Sequence, residues 1–233
     1  MFGGAILAAQ VCAAENASKR EALWAHAYFA RPASAPESLG LEVDVRSSGK
    51  RRSLLAVTAR QGGDVTASAR VATIDQAHSG KIVAWASPPS VPPPGQCPER
   101  RYKNPDPTSI NGTLDVRVAH PVEEQGRQGG SPDSRCALWA RLREPAAPGA
   151  AQLALLADHV PFAAREALGG AGVVSLEAAL RFFDAATGDE PYEWVLLDIA
   201  LTAVEGDHGH GRVTLWTESG TLLAEGSQNF LML

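Results

Sequence analysis

The chain has 233 residues, 45% of them hydrophobic and 20% charged, which suits one large folded domain or two modules of roughly 100 residues. A formal net charge of −5 without a clustered basic face excludes general nucleic-acid binding. Cys12, Cys97 and Cys136 are odd in number, widely spaced and free of any C-x-x-C pattern, so neither a disulfide framework nor a structural zinc site follows; a reducing cytoplasm is expected.

The opening stretch MFGGAILAAQVCAAENASKR has an apolar run but no basic n-region, and Gln10 interrupts it. No segment reaches the roughly 18 apolar residues of a membrane span. Residues 3–17 have helical spacing, with Ile6, Leu7, Gln10, Val11 and Ala14 recurring at threes and fours behind Gly3 and Gly4. Four strand-like runs follow, LWAHAYFA (23–30), LEVDVR (41–46), RSLLAVTARQ (52–61) and DVTASARVATI (64–74), separated by Pro, Ser and Gly turns. The proline-dense stretch SPPSVPPPGQCPERRYKNPDP reads as a linker, since proline neither continues a helix nor donates to a sheet ladder.

Beyond it, LDVRVAHPV and RCALWARLR read as strands joined by a long loop, EEQGRQGGSPDS (123–134). AQLALLADHVPFAARE (151–166) is helical, and VVSLEAALRFF (173–183), WVLLDIALTAV, RVTLWTES and TLLAEGSQNFLM make a second antiparallel meander. The second half thus repeats the first. AILAAQVCAAENA lies over ALLADHVPFAARE, and TARQGGDVTASA over LWTESGTLLAEG. Neither helix-plus-sheet unit easily covers its own surfaces, whereas two can share one sheet and core. The expected class is α+β, with a first module at 1–87, a linker at 88–110 and a second module at 111–233.

The motifs FGG near the start, HAYFARP (26–32), WARLR (139–143) and LLADHVPF, in this order and spacing over nearly the whole chain, resemble the double hot-dog acyl-CoA thioesterases of the thioesterase II type. FGGA and HAYFARP stand where the family has FGGQ and HSYFLRP. The family also has strand-forming sequence before FGG, where this chain begins, so either a misplaced start or a first module lacking its N-terminal strand is expected. The resemblance implies a double hot-dog pseudo-dimer that hydrolyses fatty acyl-CoA with a water held by an acid, a hydroxyl and an amide. It carries these roles onto Asp158, Ser175 (where Thr is commoner) and Gln228, with no cofactor or metal.

That chemistry suits the residue types. A thioester is already activated towards water, and a carboxylate base supplies about 10² to 10⁴ in rate. Ser175 and Gln228 both donate and accept hydrogen bonds and can orient a water. Periodicity alone gives a blander picture: Asp158 falls opposite the Leu153, Leu156, Val160 and Ala163 stripe, near Arg165, as a solvated helix residue. The repeat places Asp158 over Ala9, Ser175 over His26 and Gln228 over Val71, so one site per chain is expected, with His26 and Tyr28 as candidate substrate-binding residues.

Asp158, His159 and Ser175 do not suggest a Ser-His-Asp hydrolase, because the G-x-S-x-G elbow and α/β alternation are missing. The HGH of GDHGHGR sits at an expected hairpin tip rather than a metal site. A hot-dog enoyl-thioester hydratase or dehydratase and a non-catalytic acyl-thioester binding protein are the alternatives. A homodimer or higher homo-oligomer is expected.

Overall fold

The computed structural model describes residues 2–34, 37–75, 83–101, 109–121, 135–144, 146, 148–183 and 192–233. The 123–134 loop and most of the C-terminal end of the 88–110 stretch lie outside them. Helix α1 (Gly3–Ser18) is followed by strands β1 (Glu21–Phe29), β2 (Gly40–Ser48), β3 (Arg52–Gln61) and β4 (Asp64–Ile74). A short helix α2 (Ile110–Thr113) then leads into β5 (Leu114–His120) and β6 (Arg135–Leu142). Helices α3 (Ala150–Ala157) and α4 (Val160–Ala167) precede β7 (Val173–Phe182), β8 (Val195–Glu205), β9 (His208–Thr217) and β10 (Leu222–Met232).

All ten strands form one antiparallel sheet in the order β2-β3-β4-β1-β7-β10-β9-β8-β6-β5. The two halves meet at β1 and β7, where Ala27 faces Ala178. Strand alternation sends Ala25, Ala27, Leu55, Val57, Val71, Ala178, Leu180, Val213, Leu215 and Phe230 to one face, where they form a continuous core with α1 and α3. The alanines on both helices, among them Ala14, Ala150, Ala154 and Ala157, let the helices pack closely against each other and the sheet. This is the double hot-dog, with its two helices wrapped by a shared sheet.

Between the halves, the proline-rich stretch does not hang free. Trp139 Nε1 donates to the Pro92 carbonyl at 2.9 Å, and Cys97 is buried with Ala137, Trp139, Trp194, Leu196 and Trp216 on the opposite face of the second half's sheet. Arg100 N donates to Val116 O, and Val118 N donates to Pro98 O, so the stretch borders β5.

The register refines the internal repeat. Leu23 in β1 and Leu176 in β7 are each the extra residue of a bulge, opposite Ala72–Thr73 and Asn229–Phe230 respectively. With the bulges superposed, Ser175 corresponds to Ala22 and not to His26; Gln228 still corresponds to Val71. The ungapped alignment fails because the turns joining helix to first strand differ in length, Lys19–Arg20 against residues 168–172.

Candidate active site

The helix expected over 151–166 is two helices, and the break carries the site. In an unbroken helix the amide of Val160 would bond Leu156 O, and residue 161 would bond Ala157 O. Pro161 has no amide to give. Instead His159 N donates to Ala157 O at 2.8 Å, the His159 Nδ1 edge meets Leu156 O at 2.8 Å, and Val160 N donates to Gln228 Oε1 at 3.2 Å. Pro161 then sits in the first turn of α4, where a missing amide costs nothing. Asp158 caps α3 with non-helical torsions, φ −76° and ψ 49°.

Those torsions turn Asp158 inwards. It is 4% exposed, against the solvated position that the helical wheel assigned to it. Its Oδ1 accepts from Ser175 Oγ at 2.8 Å and from Gln228 Nε2 at 2.6 Å. Its Oδ2 accepts from Gly4 N at 2.6 Å, an amide of the first turn of α1. Burial pushes the Asp158 carboxyl above its ordinary value, and the hydrogen bonds from Gln228, Ser175 and Gly4, with the α1 dipole, oppose that rise. With Val160 fixing Gln228 Oε1, its Nε2 is held towards Asp158.

The three residues expected to act together therefore converge on one carboxylate. Ser175 owes its orientation to the Leu176 bulge. Glu177, Ala179 and Arg181 alternate to the outer face, and without the extra residue Ser175 would join them. Gln228 and Phe230 on β10 both point to the core, and both are almost wholly buried.

His26 and Tyr28 belong elsewhere. They lie on the outer face of β1, opposite Arg70 and Ser68 and away from the helices. His26 Nε2 meets Glu177 Oε1 at 2.6 Å, Asn229 Nδ2 donates to Glu177 Oε2 at 2.6 Å, and Tyr28 packs on the His26 ring at 4.7 Å. As substrate-binding residues of the Asp158 site they are corrected: the sheet itself separates them from it. Their neighbour Phe29 lies on the Asp158 side and lines the cavity there. His208 and His210, expected at a hairpin tip, lie in β9, the tip being Gly206–Asp207. Among the described residues no group of three His, Cys, Asp or Glu side chains could hold a metal.

Asp158 and Ser175 open onto a cavity of about 480 Å³ whose wall includes Phe2, Gly3, Ile6, Phe29, Pro161, Phe162, Val174, Leu176, Leu231 and Leu233, with Arg31 and Arg165 as its basic residues. The wall is apolar apart from these few groups, a lining suited to a hydrocarbon chain. Gln228 is not part of it and lies behind Asp158. The glycines of FGG, whose structural part the sequence reading did not assign, explain how α1 reaches the acid. A Cβ on Gly3 would sit 2.9 Å from Asp158 Oδ2, and one on Gly4 would sit 2.7 Å from Leu155 O and 2.8 Å from Asp158 Cβ. Only a residue without a side chain lets the helix end approach this closely.

A single antiparallel sheet around α1 and α3, with a buried carboxylate where the start of α1 meets the end of α3, is the double hot-dog arrangement. The chain belongs to the acyl-CoA thioesterase family: residues 1–74 match the acyl-CoA thioesterase N-terminal domain and residues 94–232 the acyl-CoA thioesterase C-terminal domain. Its fold is similar to that of a protein from Novosphingobium aromaticivorans assigned as a thioesterase, with 28% identity and a TM-score of 0.86 over 100% of this chain and 88% of that one. It also resembles a hot-dog protein of unknown function from Alicyclobacillus acidocaldarius, with 21% identity, a TM-score of 0.84, and 100% and 87% of the two chains covered. An acyl-CoA thioesterase II from Mycobacterium marinum shares the fold at 21% identity and a TM-score of 0.74, with 99% and 88% covered. No curated protein sequence matches the chain.

Proposed function

We propose that the chain hydrolyses fatty acyl-CoA to free acid and coenzyme A, with Asp158 as general base. The observation that carries this reading is a buried carboxylate, held by three donors, in the wall of a mainly apolar cavity. Oδ1 already accepts two hydrogen bonds and Oδ2 one, so Oδ2 keeps a lone pair for a water. Asp158 takes a proton from that water as its oxygen attacks the thioester carbonyl. The tetrahedral intermediate collapses, the C–S bond breaks, and the coenzyme A thiolate recovers the proton from Asp158.

In this scheme Ser175 lines the cavity and steadies both carboxylate and water, whereas Gln228 acts on the carboxylate from behind. Gly3, at the positive end of α1 and in the cavity wall, supplies a backbone amide for the charge developing on the carbonyl oxygen. The acyl chain lies along Ile6, Phe29, Val174 and Leu231. No cofactor enters any step. The hydratase alternative needs an acid and a histidine facing one substrate; His159 is 1% exposed and outside the cavity wall, and His26 is across the sheet.

The test is release of free thiol from acyl-CoAs of increasing chain length by the purified protein. Asp158→Asn is expected to lose about 10² to 10⁴ in kcat while its circular dichroism and acyl-CoA binding persist. Acyl-CoA that protects the wild type from thermal unfolding without turnover would establish a binding protein instead.

A further inference from the structure

His159 is buried beside the proposed base, yet no step above uses it. It is 1% exposed, burial and the nearby Arg100 charge push its pKa down to about 4, and its ring packs 6.0 Å from that of Phe2 and 5.5 Å from that of Phe162. A neutral imidazole facing a carbonyl at 2.8 Å carries its proton on Nδ1, so Nδ1–H donates to Leu156 O. That carbonyl is the one the Val160 amide would occupy in a continuous helix.

We propose that His159 is a positioning residue for the Asp158 centre: its Nδ1–H takes the place of the Val160 amide on Leu156 O, which releases that amide to fix Gln228 against Asp158. The chain of contacts is short. Leu156 O is satisfied by His159, Val160 N–H is thereby free for Gln228 Oε1, and Gln228 Nε2 is turned onto Asp158 Oδ1. Without the imidazole donor, Leu156 O is a buried acceptor lacking a partner, a costly state that the Val160 amide relieves by returning to it. Gln228 then loses the contact that sets which end of its amide faces the acid. The break after Ala157 also relaxes towards helix, carrying Asp158 with it.

The role rests on the hydrolytic reading for its kinetic consequence, but its geometry does not. Two variants separate the donor from the ring. His159→Asn keeps a donor at the δ position and loses the ring; His159→Phe keeps the ring and loses the donor. The expected result is that H159F loses about 10²-fold in kcat, the scale of an ångström-sized misplacement, with KM within twofold, while H159N keeps most of the wild-type kcat. H159N as damaged as H159F would overturn the proposal in favour of ring packing, and an undiminished H159F would overturn it outright. If the wild type releases no thiol at all, the hydrolytic reading fails by itself. The positioning role is then decided by a crystal structure of H159F, in which Val160 N must be found on Leu156 O and off Gln228 Oε1; a retained Val160–Gln228 bond would refute it.

Discussion

Replacing Gly4 by alanine should destabilise the protein, although the same change inside a helix ordinarily stabilises it. Ala gains about 1 kcal/mol over Gly in a helix interior. Here the added methyl meets Leu155 O at 2.7 Å, and Asp158 Cβ and Phe2 Cε1 at 2.8 Å, two of them backbone or near-backbone atoms that cannot swing aside. Overpacking of this kind costs about 1–3 kcal/mol. Moving α1 away to relieve it breaks the 2.6 Å bond from Gly4 N to Asp158 Oδ2, and a hydrogen bond to a charged group contributes about 1.5–3 kcal/mol. Either way, after the helix gain is subtracted, the balance is a loss of up to about 2 kcal/mol, or about 4–8 °C in Tm for a chain of this size. Thermal melts of Gly4→Ala beside Gly95→Ala, whose added methyl meets nothing within 4 Å, give the comparison. A Gly4→Ala protein that melts at or above the wild type with undiminished thiol release would show that the close approach of α1 to the acid is not needed.

Three further outcomes are expected. Asp158 has a carboxyl raised above its ordinary 3.8, so stability from its protonated form is fully present below that value and is lost as pH rises through the higher folded-state value. Activity runs the opposite way, because the base must be ionised: the acid limb of the kcat profile should have its midpoint above 3.8, and a midpoint at or below it would contradict the burial argument. His26→Ala and Tyr28→Ala, on the outer face, should leave kcat within about twofold in the same thiol assay; a loss of tenfold or more in either would place the outer face in the reaction.

The strands and the duplication were legible because Pro, Ser and Gly turns bound the strand-like runs, alternation of apolar and polar residues survives in β4, and the helical stripe of α1 is regular. The one mark in the sequence of the interruption after Ala157 is Pro161, which has no amide for the Ala157 carbonyl. What a periodic reading could not supply was the sidedness of single residues. Counting by twos from Glu177 puts Ser175 outside, and only the Leu176 bulge, which leaves no mark in composition, returns it to the inner face. His26 lies beyond the matching bulge and so faces the other way. The burial of Asp158 was equally hidden, since the amide that meets it belongs to Gly4, 154 residues earlier.

The bulge at Leu23 recurs in the half where Ala22 and Val71 stand in place of the hydroxyl and the amide. The same backbone geometry thus occurs in one half with the acid's partners and in the other without them. The two halves answer to different demands: substitutions around Ala22 and Val71 are judged only by how well they fill space, whereas those around Ser175 and Gln228 must also satisfy an acid. In the proposed mechanism one copy of the frame carries the reaction, and the other supplies the same shape with no acid to satisfy.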